Sequence, residues 1–384
     1  MSAHPLSATS AVRLVFAANG AALGLWLPRI PDVKTALEVD LFTLSLCFFM
    51  LPLGTMLGFG LAQKVIGRLG LRQTCVVVGP LFVLSIFLPA FAPVVPLLAL
   101  ALFLVGLTIA SIEVAMNTMA GEYEKQSGRR IMTSCHAFWS FGSMSGALIA
   151  GGFAQAGISF PVQQVVTGPA LALAAWWVAK GLGPEGPRST APSTVFALPT
   201  AAIAGLCALP MGSLMLEGAM MEWSALLLRE ERLLSPFAAA LIYAFYAVAM
   251  AIARMFGDTL ASRFGATQVI AASAMMAGAG IAAFAISATT TTALMSGMLL
   301  GLGIANIYPL AMSLAAQAPG VSERNIAAVA LTAFSAFLIG PPLIGTLGSF
   351  WGLSVAFLIL TPFGLYPLLM LGVPRKLTSP EATS

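Results

Sequence analysis

The chain has 384 residues, of which 59% are hydrophobic and only 8% charged, and its mean hydropathy is +0.95. That composition excludes an ordinary soluble domain, and a net charge of +4 on so apolar a chain gives no basic face for nucleic acid. Cys47, Cys75, Cys135 and Cys207 sit inside apolar stretches with neither metal-ligand spacing nor a disulfide framework, so they read as packing residues, and no metal or other cofactor is expected.

Apolar runs of about 20 residues, the length that crosses a bilayer, fall near 10–28, 41–62, 74–92, 94–120, 131–155, 160–181, 198–227, 236–260, 267–287, 291–316, 324–349 and 352–373. These are twelve predicted helices, six in each half. An early Arg13 without a basic region and small-residue cleavage site makes the first helix a retained anchor rather than a signal peptide. The Gly181 to Pro199 stretch, holding Gly183-Pro184-Glu185-Gly186-Pro187-Arg188-Ser189, is the one segment that reads as a linker. The expected organisation is a six-helix bundle over 1–181, a cytoplasmic linker over 182–197 and a second six-helix bundle over 198–384.

The two halves are related. Leu104-Val105-Gly106-Leu107-Thr108-Ile109-Ala110-Ser111-Ile112 returns 195 residues later as Leu299-Leu300-Gly301-Leu302-Gly303-Ile304-Ala305-Asn306-Ile307, and the same offset carries Arg68-Leu69-Gly70 onto Arg263-Phe264-Gly265 and Gln73 onto Gln268. Duplicated membrane bundles are the plan of many secondary transporters, whose substrate site lies between the repeats. Lys and Arg favour cytoplasmic loops. With the N-terminus inside, that side collects Arg13, Lys64, Arg68, Arg72, Lys125, Arg129, Arg130, Lys180, Arg188, Arg254, Arg263, Arg324, Arg375 and Lys376. The other side has Arg29, Lys34, Arg229 and Arg232, which places both termini in the cytoplasm.

Candidate functional residues follow in chain order. On helix one, Asn19 and Trp26 share a face two turns apart. Asn19 is placed to hydrogen-bond a solute, and Trp26 to stack on it or to close the outer side; an interfacial aromatic belt is the alternative for Trp26. Glu113 on helix four is an acid within a membrane span, which costs about 2.5–3.5 kcal/mol on insertion scales. The repeat agrees up to Ile112 and Ile307 and then diverges, with Tyr308 opposite the acid. Asn117 lies one turn beyond Glu113, and the alternative for Glu113 is a protonated acid that bonds Asn117 or a neighbouring helix.

His136, five residues into helix five, comes to about the depth of Glu113 by helical rise, so the two are a candidate proton-sharing pair. A helix-end His bonded to a carbonyl is the other reading. Trp139 and Ser140 follow on helix five. On helix seven, Ser213, Glu217, Met220 and Ser224 recur at helical spacing as a possible cavity wall, and Glu222 is expected to pair with Arg229 or Arg232. On helix ten, Asn306 and Tyr308 are further solute-binding candidates, and Pro309 after Gly301 and Gly303 predicts a kink or unwinding. Gly142 and Gly146 on helix five, and Gly340-Pro341-Pro342 with Gly345 on helix eleven, are expected to allow close helix contact and bending.

Twelve helices, a duplication and a basic link between helices two and three resemble the major facilitator superfamily. Its signature loop stands in Gly257-Asp258-Thr259-Leu260-Ala261-Ser262-Arg263-Phe264-Gly265, whereas Gln63 occupies the acid's place in the first half, ahead of Arg68-Leu69-Gly70-Leu71-Arg72. The resemblance implies an all-α integral membrane fold of two six-helix pseudo-repeats, and loops at Arg68, Arg72, Asp258 and Arg263 that steady the cytoplasmic closure. Asn19-Gly20, Trp26, Arg29-Ile30-Pro31, Glu113-Val114-Ala115-Met116-Asn117 and Gly128-Arg129-Arg130-Ile131-Met132 leading to His136 further resemble a bacterial inner-membrane branch that includes the rhizopine-associated MosC.

The expected function is therefore secondary active transport of a small polar or cationic organic solute across the inner membrane by alternating access. Protons move through Glu113 and His136, and Asn19, Trp26, Asn117, Trp139, Ser140, Glu217, Met220, Asn306 and Tyr308 line the solute path. The expected partners are the solute, protons and lipid, the chain acting as a monomer without nucleic acid. The competing expectation is an exporter of lipophilic or cationic compounds, then a transporter-like sensor; an enzyme is not expected.

Overall fold

The computed structural model describes residues 5–128, 131–183 and 197–372, and it is helical throughout, without a strand among the described residues. Helical segments occupy Ala8–Leu37, Leu41–Leu69, Leu71–Phe91, Val95–Ser127, Met132–Gln155, Phe160–Lys180, Ala204–Glu231, Pro236–Phe264, Ala266–Ala285, Thr290–Gln317, Arg324–Trp351 and Leu353–Leu369, here called the first to twelfth spans. Among the described residues, ten of these are long and apolar enough to cross a membrane. The serine- and glycine-rich fifth and the short twelfth fall outside that group. The chain divides into two compact units, Met1–Ala191 with Leu233–Ala244, and Pro192–Arg232 with Phe245–Ser384. Most of the expected linker (residues 184–196), Arg129, Arg130, Arg188, Arg375 and Lys376 lie outside the described residues.

The sequence repeat is also a repeat of backbone geometry. Positive φ occurs at Glu38 (51°), Gly70 (83°) and Gly157 (72°), and again 195 residues on at Leu233 (55°), Gly265 (87°) and Gly352 (82°). Gly70 and Gly265 each join two helices through a conformation that a Cβ disfavours. A Cβ on Gly106 would run into the Leu51 carbonyl and the Thr55 amide, and on its counterpart Gly301 into the Tyr246 carbonyl and the Met250 amide. All three positions match at the same offset. Even the caps correspond: Asp40 accepts the Thr43 N–H at 2.7 Å, and Ser235 accepts the Ala238 N–H at 3.2 Å.

Small residues set the closest helix contacts in each unit. In the first, Gly20 and Gly24 of the first span face backbone atoms of Trp139 and Ser143 in the fifth, while Gly142 and Gly146 face the carbonyls of Ala17 and Ala21. In the second, Gly280 and Gly303 bring the ninth and tenth spans together. Removing the side chain lets helices pack backbone to backbone where lipid supplies no hydrophobic drive. The expected contact at Gly340 is absent, because that glycine faces open space beside Pro341 and Pro342.

The turn after the seventh span is a polar clasp. Glu231 accepts the amides of Leu353 and Ser354 and the Ser354 hydroxyl, which caps the N-terminus of the twelfth span. Arg232 donates to the Ser287 and Ala285 carbonyls at 2.5 Å, closing the end of the ninth span. Glu222 joins neither residue: it has no ion pair or hydrogen bond among the described residues, so the expected pairing with Arg229 or Arg232 is not formed.

Asp40 offers a test at the N-terminal end of the second span. The Thr43 amide and hydroxyl hold its carboxyl below the usual 3.8. A depressed carboxylate stabilises the folded state above its unfolded pKa and loses that contribution as pH falls through the folded value. Asp40→Ala is expected to cost about 1 kcal/mol at neutral pH, an N-cap's worth, and thermal melts of variant and parent should converge in acid; equal melts at neutral pH would remove the cap from the account.

Candidate functional site

The second unit contains a charge pair set over a broken helix. The tenth span stops as an α-helix at Ile304 and resumes at Ile307, the interruption that Pro309 predicts. Arg254, ten residues before the eighth span ends at Phe264 and so about 15 Å inside it, donates Nε to the Ala305 carbonyl at the break, at 3.3 Å. Its Nη2 stands 3.6 Å from Glu217 Oε1 of the seventh span, the two side chains being 28% and 18% exposed. Asn306 closes the same junction, its Nδ2 donating to the Ala253 carbonyl at 3.2 Å and its Oδ1 resting against Gly257. A broken helix frees backbone carbonyls that a membrane interior cannot hydrate; Arg254 meets one of them from the side, and Asn306 ties the break to the eighth span.

Beside the pair runs a ladder of half-buried rings. Tyr308 meets Phe334 edge to face at 6.3 Å, Phe334 meets Phe337 at 5.7 Å, and Phe337 covers Gly218 next to Glu217. Arg254, Phe334 and Phe337 were not among the sequence candidates. Ending the eighth helix at 260 puts Arg254 near a cytoplasmic loop, whereas the helix runs on to Phe264 and carries the charge inside the span. The signal was present as a lone basic residue in an apolar run.

The expected cavity stripe on the seventh span is corrected. Ser213 and Ser224 are buried and bond the Pro210 and Met220 carbonyls of their own helix, and Met220 has no exposed surface. Only Glu217 of that stripe keeps partial exposure. Helical periodicity reports one face, and a face turned to the unit's core has the same period as one turned to a cavity.

In the first unit, Asn19 of the first span accepts the Trp139 indole N–H at 2.8 Å. Asn19 is 3% exposed and its Nδ2 has no partner in the described structure. Trp26 is buried on Phe160 of the sixth span with ring centroids 5.8 Å apart, a packing position rather than an interfacial one, and Ser140 is buried as well. Glu113 is half-buried on the fourth span. Asn117 donates to its backbone carbonyl at 2.9 Å, so the alternative of an Asn117 bond to the carboxyl is not what forms. His136 is exposed and meets Phe16 edge to face at 5.3 Å.

Comparisons with known proteins fit this architecture. The family description "Major Facilitator Superfamily" matches residues 212–383, and "Sugar (and other) transporter" matches residues 31–191. The uncharacterized transporter y4wD of Sinorhizobium fredii is 33% identical over 359 residues, spanning 91% of this chain and 93% of its own. The chain belongs to the major facilitator superfamily. An uncharacterized MFS-type transporter of Yersinia pestis is 28% identical across 96% of this chain and 94% of its own, and membrane protein MosC of Rhizobium meliloti is 26% identical across 93% and 87%. The nucleoside transporter NupG superposes with a TM-score of 0.73 at 15% identity, covering 97% of this chain and 99% of NupG. A bacterial homologue of the lysosomal transporter Spinster gives 0.75 at 13%, covering 96% of each, and both share the fold.

As a superfamily member the chain is a bacterial multi-pass inner-membrane transporter of the secondary-active type, not an enzyme. The expected loop residues Arg68, Arg72, Asp258 and Arg263 lie near the ends of the second, third and eighth spans. Arg68, Asp258 and Arg263 are exposed, and Asp258 forms no ion pair among the described residues; Arg263 lies over Phe264. Arg72 donates to the Lys180 and Leu182 carbonyls at 2.8 and 3.0 Å, which ties the third span to the end of the sixth.

Proposed function

We propose that this transporter carries a small polar or cationic organic solute by alternating access, coupled to protons, with both termini in the cytoplasm. The observation that carries the reading is the Glu217–Arg254 pair at 3.6 Å over the broken tenth span, an arrangement too costly within a membrane to be kept without a task. Glu113, His136, Asn117, Trp139, Glu217 and Tyr308, all half-buried or exposed, are the side chains able to meet solute or proton. Asn19, Trp26, Ser140, Met220 and Asn306 are buried and act behind them, Asn19 by holding Trp139 in place.

Glu113 is proposed as the proton carrier, assisted by His136. Histidine is the side chain whose charge can change between pH 5 and 8, as a proton-driven carrier needs. Arg68, Arg72, Asp258 and Arg263 are proposed to steady the cytoplasmic closure, the chain is proposed to act as a monomer, and the 26% identity with MosC supports placement in a MosC-like branch. In proteoliposomes, Glu113→Gln is expected to lose accumulation driven by a pH gradient while it keeps solute exchange. Accumulation at the parent's level would move coupling to another group.

A further inference from the structure

Three of the described arginines are tightly held by two partners each. Arg232 places Nε and Nη2 on two carbonyls at 2.5 Å, Arg72 does so at 3.0 and 2.8 Å, and Arg29, 2% exposed, meets Asp32 at 2.6 Å and the Ile158 carbonyl at 2.8 Å. Arg254 differs. Its one hydrogen bond among the described residues is the 3.3 Å contact to Ala305, and Glu217 lies at 3.6 Å, beyond hydrogen-bond length, with 28% of the arginine side chain still exposed. A guanidinium carries five donors in a planar fork and does not give up its charge, so inside a span it has unmet demand for a planar, two-oxygen acceptor.

The surroundings restrict what can meet that demand. Glu217, 18% exposed, is the neighbouring acid, and the ladder Phe337, Phe334 and Tyr308 begins at Gly218. We infer that Arg254 docks a carboxylate of the transported solute, that Glu217 then takes an ammonium group of the same molecule, and that the ring ladder borders its less polar part. The inference rests on the transport reading above and narrows its polar solute to a zwitterion. Charge bookkeeping favours that class over a simple cation. A zwitterion exchanges one loose internal pair for two pairings and leaves the net charge of the span unchanged, whereas a cation on Glu217 would strand Arg254.

The test uses four ligands on one scaffold: phenylalanine, 3-phenylpropionate, 2-phenylethylamine and 2-phenylethanol. Each is titrated against the purified full-length protein in detergent, with melting temperature as the readout. Phenylalanine is expected to give a saturable rise and 3-phenylpropionate a weaker one, while the amine and alcohol give none. Arg254→Gln should weaken the phenylalanine response about 10- to 100-fold, the worth of charged hydrogen bonds. Arg254→Lys, which keeps the charge and supports folding if the first variant does not, should weaken it about tenfold by losing the fork. A saturable response to the amine that survives both variants overturns the assignment, as does the absence of any response to the two carboxylates. Because binding is read without a gradient, zwitterion binding in a protein that shows no proton-driven uptake would sink the coupling proposal and leave this site standing.

Discussion

Gly142→Ala is expected to remove most folded protein from the membrane, although it adds one methyl group to a helix. The new Cβ would overlap the Ala17 carbonyl of the first span, and backbone on a packed helix cannot swing aside. Separating the first and fifth spans would loosen Gly20 and Gly24 against Trp139 and Ser143, and with them the Asn19–Trp139 bond. The expected cost is at least about 3 kcal/mol, the upper range for overpacking a core. Gly152→Ala on the same helix is the matched control. Its Cβ would meet nothing within 4 Å, so better helix propensity should stabilise by up to about 1 kcal/mol. Detergent melting curves of the two variants check this, and equal behaviour would contradict backbone-to-backbone packing at this interface.

Breaking the Glu217–Arg254 pair from either side is the second large effect. Arg254→Leu leaves a carboxylate inside a span without its counter-charge, and Glu217→Gln leaves a guanidinium in the same position. Each single change should destabilise by about 2–3 kcal/mol, discounted from the fully buried case because both side chains keep some exposure. The double variant Glu217→Gln/Arg254→Leu should recover most of that loss, since no charge is then stranded, yet remain inactive in transport. A double-mutant cycle reads the coupling directly. Additive losses would mean that the two residues do not sense each other.

The architecture was largely legible in the sequence because the bilayer simplifies the code. A span must be about 20 apolar residues long, so the helix positions follow from hydropathy, and the 195-residue offset reappears in the positive φ of Gly70 and Gly265 and in the contacts of Gly106 and Gly301. Pro309 marked the break in the tenth span for a local reason, its missing N–H.

The site was less legible. Where the repeat is faithful it encodes the scaffold, and the proposed site residues lie where it departs: Arg254 and Glu217 correspond to Phe59 and Ala22 in the first half. A span ending four residues later than expected moves Arg254 from about 9 Å to about 15 Å inside the helix end, so its role turned on a helix end, the least certain feature of a hydropathy profile. Met220 erred differently, because a stripe facing the core and one facing water share a period.

Proton coupling is the central claim, and the most direct measurement is internal pH in proteoliposomes loaded with a pH-sensitive dye, recorded as the solute identified by melting-temperature screening is added without any ion gradient. A pH change that requires the solute, saturates with it and vanishes in Glu113→Gln is the predicted result. Solute entry at constant internal pH would contradict the account.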